Sequence, residues 1–93
     1  MNVIKFNNEE FEVEGYNKNT YFTGETITSN ANCSLNNCDM EALNALAQET
    51  ITTIEILHDG VSIYKIEDLT AKIESINESL GGDRMYINVT FIF

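Results

Sequence analysis

The stretch Thr52–Ile66, TTIEILHDGVSIYKI, limits the possible folds more than any other part of the chain. Asp59-Gly60 stands between two alternating apolar runs. Such a dipeptide favours a two-residue type I′ turn, whose twist matches that of the strands it joins. The turn also sets the register. His58 faces Val61, Leu57 faces Ser62, Ile56 faces Ile63, Glu55 faces Tyr64 and Thr53 faces Ile66. Ile54, Ile56, Val61 and Ile63 then lead one face, while Leu57, Tyr64 and Ile66 lie on the other. A hairpin apolar on both faces must be covered on both, by a helix, by further strands or by another chain.

Other segments repeat the period of two. In EEFEVEGY (9–16) Phe11 and Val13 point one way, and Glu10, Glu12 and Glu14 the other. GYNKNT carries Gly15, Asn17 and Asn19, which predict a turn. In TITSNANCSL (26–35) Ile27, Ser29, Ala31, Cys33 and Leu35 share a face whose middle is small, so a bulky neighbour is expected over Ser29 and Ala31. The period changes in CDMEALNALAQE. Met40, Leu43, Leu46 and Ala47 fall at helical spacing and Asp39 is placed to cap, which predicts one short helix at 39–49.

Segment 69–80, LTAKIESINESL, fits two templates. Leu69, Ile73, Ile76 and Leu80 suit an amphipathic helix stopped by Gly81. As a strand it folds back on RMYINVTFIF through GGDR, with Leu80 opposite Met85. Asn77 then meets Asn88, Ser75 meets Thr90 and Ile73 meets Ile92 on one face, and Ile76 meets Val89 on the other. Pairs of like character favour the strand. In both readings the chain ends on a strand too apolar to dangle in water, which makes Phe91 and Phe93 candidates for an interface beside Leu57, Tyr64 and Ile66. The expected architecture is one α+β domain over 1–93. It is mainly antiparallel sheet, sandwich- or barrel-like, with one helix on it.

Composition narrows the function. Fifteen acids against five Lys and Arg give a net charge of −10. Direct binding to nucleic acid or to an anionic membrane is disfavoured, since both need basic residues against phosphate. No basic leader with a long apolar run opens the chain and no apolar stretch approaches a bilayer span, so a cytoplasmic or virion-assembled protein is expected rather than a secreted one. Two cysteines and one histidine are too few for a structural zinc site. The spacing of Cys33 and Cys38 is not that of a thioredoxin-like pair. Cys33 is in phase with the buried side and Cys38 precedes the helix, so both are expected to pack as small apolar groups. His58 lacks a nucleophile at a defined spacing. Gly81-Gly82 is too short to cradle phosphate, and the glycosylation-like triplets at Asn32, Asn77 and Asn88 follow from the Asn-rich composition. No catalytic residue, metal site or cofactor is expected, and the chain reads as a non-enzymatic module that binds protein.

The run ITTIEILHDGVSIYKIEDLTAKIESINESLGGDRMYINVTFIF, short alternating strands closing on an apolar terminal strand, resembles small structural proteins of tailed bacteriophages and prophages. The resemblance covers about the C-terminal half and carries no motif residue. It implies a virion or tail-assembly component acting in many copies, as a homo-oligomer or beside other virion proteins. The competing class is a small acidic inhibitor that fills a basic groove on a host protein. Its contact surface would be Glu9, Glu10, Glu12 and Glu14, with Glu74 and Glu78.

Overall fold

The computed structural model describes residues 1–36 and 38–93. Its elements are β1 (Asn2–Phe6), β2 (Glu9–Thr23), β3 (Thr26–Asn36), α1 (Met40–Leu46), β4 (Ile54–His58), β5 (Val61–Ile66), β6 (Lys72–Gly81) and β7 (Arg84–Ile92). The strands form one sheet in the order β5-β4-β1-β2-β3-β7-β6, and every neighbouring pair is antiparallel. The α+β class agrees with the residue patterns. The sheet is not closed into a barrel. The helix is shorter than 39–49. Asp39 caps it, its carboxylate accepting from the N–H groups of Glu41 at 3.0 Å and Ala42 at 3.3 Å, but the helix stops at Leu46.

The hairpins follow their turn residues. Asp59 at φ 49° and Gly60 at φ 84° are both left-handed, as type I′ requires. β6 is a strand, and its register with β7 is the one the like-with-like pairs predict, from Leu80 opposite Met85 to Ser75 opposite Thr90. The turn expected at GYNKNT does not form. β2 runs straight through it and reverses at Gly24-Glu25, where Gly24 takes φ 60°. Polar Asn17 and Asn19 are no obstacle, because they occupy strand positions beside Asn32 and Asn30. The central strand β1 is missing from the sequence expectation. NVIKF is short, yet its Ile4 and Phe6 are wholly buried.

Three bulges decide which side chains face inward. Glu14, Ile63 and Glu74 are each an extra residue opposite no partner. An inserted residue reverses the faces of everything beyond it. Thus Tyr64 sits opposite Ile56 and Ile66 opposite Ile54, so both join the inner face rather than the outer one. Likewise Ile73 meets Phe91 instead of Ile92. A bulge also adds twist, and this sheet folds over on itself. In a flat sheet Phe6 on β1 and Phe91 on β7 would stand on the order of 30 Å apart at ordinary strand and residue spacings. Their rings meet edge-on at 5.2 Å. The enclosed core joins both arms of the sheet to Leu43 and Leu46 of α1. Phe91, beside Ala31 in the register, and Phe93 beyond it flank the small middle of β3. At one end the arms are tied by paired backbone bonds between Ile51 and Ala71, 2.7 and 3.0 Å.

Asn7 fastens the same end. It turns β1 into β2 at φ 58°. Its side-chain oxygen accepts from the Thr52 N–H (2.9 Å), the Thr52 hydroxyl (3.0 Å) and the Thr53 N–H (3.3 Å). Its amide nitrogen donates to the Thr50 carbonyl at 3.2 Å. Asn7→Ala loses these bonds and leaves the β-carbon in the left-handed region without the polar side chain that makes Asn tolerant of it, so urea unfolding should show a loss of about 2–4 kcal/mol. Asn7→Gly loses the same bonds but also removes the β-carbon, and should cost about half as much. Equal losses for the two variants would show that the backbone conformation contributes nothing.

Candidate functional site

The apolar residues singled out by the sequence part company in the fold. Phe91 is 0% exposed and belongs to the core, so it offers nothing to a partner. Phe93 is half-buried against Phe91, with the Lys18 ammonium 4.8 Å above its ring. Ile66 is half-buried on the inner face and Leu57 half-buried on the outer face. Tyr64 remains partly exposed on edge strand β5, its ring 5.6 Å from that of Tyr16. The Tyr16 hydroxyl titrates above its ordinary range, first because it is buried and second because of Tyr64.

The largest exposed apolar side chains lie elsewhere, on the hairpins. β2 and β3 pair with each other as far as Thr23 and Thr26, but β1 stops at Glu12 and β7 at Asn30. The distal part of this hairpin is therefore a ribbon of two strands that leaves the sheet. Phe22 and Ile27 face each other across it, 75% and 66% exposed, and Tyr21 projects from its other side. Val61 and Ile63 are exposed on β5, and Leu80 and Met85 at the β6–β7 end. The β2–β3 arm was hidden in the sequence because the turn expected at Gly15–Thr20 would have cut it short. The signal that could have found it is the Gly24-Glu25 pair, a type II′ turn dipeptide between YFT and TIT.

The acids divide between two arrangements. On the outer face Glu10 stands opposite Lys5, Lys5 opposite Glu55 and Glu55 opposite Lys65, a row of alternating charge across four strands. Lys65 also meets Glu67 at 3.1 Å, which with Glu55 raises its pKa. Opposite charges in register favour the pairing and limit repulsion. Glu14, the bulged residue, takes a hydrogen bond from Arg84 at 3.0 Å and another from Asn36 at 2.6 Å. Glu9 is exposed and Glu12 half-buried. The four glutamates of 9–14 form no single block.

Cys33 is buried in the core and Cys38 half-buried at the helix entry. Burial pushes the Cys33 thiol up to about 12, with Cys38 adding. Burial also raises Cys38, with Asp39 adding. His58 is exposed at the hairpin end and bonds Asn2 at 2.6 Å. Among the described residues no group of three or more His, Cys, Asp and Glu is placed to hold a metal ion, and no helix is long and apolar enough to cross a membrane.

Beyond the hairpins, the outer face of β2, β3, β7 and β6 is a lattice of amides and hydroxyls. One row runs Asn17, Asn32, Thr90, Ser75, and the next runs Gly15, Ser34, Asn88, Asn77. Thr90 donates to Asn32 at 3.0 Å and Ser34 to Asn88 at 2.7 Å. A shallow depression of about 300 Å³ opens over Gly15, and a larger one of about 370 Å³ lies among Asn36, Cys38, Asp83, Arg84, Met85 and Ile87. No protein-family model matches the chain, and no curated protein matches it.

The buried thiol gives the fold an alkaline weakness. Its pKa is raised in the folded state, so its contribution is complete below the unfolded value near 9 and is lost as pH climbs toward about 12. Urea midpoints should fall across that window, with up to about 4 kcal/mol lost through Cys33. Cys33→Ala should flatten the decline, and an unchanged slope would contradict the assignment.

Proposed function

We propose that the chain is a non-enzymatic assembly module, of the kind found in phage virions and tails, which works by docking strands onto further copies of itself or onto other proteins of the same particle. The observation that carries this reading is the β2–β3 arm, with free backbone edges and an exposed Phe22–Ile27 pair at its end. A two-stranded ribbon is only marginally stable alone in water. Its unpaired N–H and C=O groups are a template for a further strand, and the apolar pair supplies burial once a partner covers it. The exposed apolar residues of β5 add a second such edge. The alternation of Glu10, Lys5, Glu55 and Lys65, and the engagement of Glu14 by Arg84, favour this reading over an acidic surface shaped for a basic groove.

Light scattering at about 0.1 M and 1 M salt tests it, since apolar docking survives screening whereas an acidic contact does not. The expected result is an oligomer at both concentrations. Phe22→Ser with Ile27→Ser should shift it toward monomer while far-UV circular dichroism stays that of the folded chain, because neither side chain is part of the core. A wild-type monomer at every concentration and salt would overturn the proposal.

A further inference from the structure

The depression over Gly15 lies on the polar outer face, away from the arm's end, and goes beyond the assembly reading. Glycine within a strand weakens it, and often marks a bend, a bulge or a close approach by another group. Gly15 follows the Glu14 bulge, but it does not take a left-handed φ, and an added β-carbon would meet nothing within 4 Å. Neither backbone strain nor crowding within the chain demands glycine there. What its missing side chain does is leave a hollow of about 300 Å³ lined by Asn17, Asn32, Ser34 and Asn88, with Tyr16 and Cys33 at its border.

The lining chemistry is selective. It holds no ionised group, which disfavours an anion or a metal ion, and the net charge of −10 repels anions further. Amides and hydroxyls both donate and accept, and so do the hydroxyls of a sugar ring. Internal bonds orient the groups without exhausting them. Asn88 and Asn32 accept through their side-chain oxygens from Ser34 and Thr90, which leaves both amide nitrogens free to donate. With Tyr16 and Cys33 at the border, the exposed lining carries apolar as well as polar surface. Apolar surface beside amides and hydroxyls suits the apolar face and polar edge of a pyranose.

We infer that the Gly15 hollow, with Asn17, Asn32, Ser34 and Asn88, is a binding site for a neutral saccharide. The probes are pentasaccharides of β1,4-linked glucose, α1,4-linked glucose, β1,4-linked N-acetylglucosamine and β1,4-linked galactose, titrated into the labelled full chain and followed by residue-resolved NMR. At least one should saturate with a Kd of about 0.1–10 mM and shift the signals of Asn17, Asn32, Ser34 and Asn88. Gly15→Val fills the hollow and should weaken binding about tenfold or more. Should that variant fail to fold, Asn32→Ala with Asn88→Ala gives the same reading. No saturation by any of the four up to about 20 mM, shifts confined to another surface, or wild-type binding by the filled variant would each overturn the inference. Because the hollow is separate from the arm, none of these outcomes bears on oligomerisation.

Discussion

A seven-stranded sheet has two faces, and a helix of seven residues can shield only part of one of them. The burial of that inner face is the constraint on which the rest of the structure depends. The chain meets it by folding the sheet over itself, so that Phe6 and Phe91 close on each other from strands that are not neighbours. Each such ring is worth about 2–3 kcal/mol when removed from water, and the fold is viable only if the two arms stay together. The Ile51–Ala71 backbone pair and the amide of Asn7 hold one end of that closure. Asn7 in particular converts a tight turn into a clamp on a distant segment.

The same constraint explains what is left outside. An outer face without a cover must be polar or charge-balanced, and it is both: Asn, Ser and Thr across β2, β3, β7 and β6, and alternating Glu and Lys across β2, β1, β4 and β5. The apolar residues that escape burial lie mainly where strands outrun their neighbours or form an edge. These are places where backbone groups also lack partners, so the two incentives for docking coincide. A polar lattice interrupted by a glycine hollow and apolar hairpin ends would let one small domain present two separate surfaces.

Much of the local structure was legible in residue types. Asp59-Gly60 dictated its turn because few residues tolerate the left-handed region. Asp39 announced the helix start because its carboxylate matches free N–H groups. The pairing of Asn77 with Asn88 and Ser75 with Thr90 identified β6 as a strand although its apolar spacing also suits a helix. The exposed surfaces were harder to read. Phe91 looked like interface and is core, since apolar character alone does not say which neighbour will cover a side chain. The acids of 9–14 looked like one block and are divided, because their partners Lys5 and Arg84 come from other strands.

The sequence by itself determined the turns at Asp59-Gly60, the helix cap, the register of β6 against β7 as far as Ser75, and the predominance of antiparallel strands. These depend on interactions within a few residues or on the match of adjoining strands. Only the tertiary structure decided that Glu14, Ile63 and Glu74 are bulged, and that Tyr64, Ile66 and Ile73 therefore turn inward. A bulge is selected by how the whole sheet must bend to bury its inner face. No local pattern of residue types encodes that requirement.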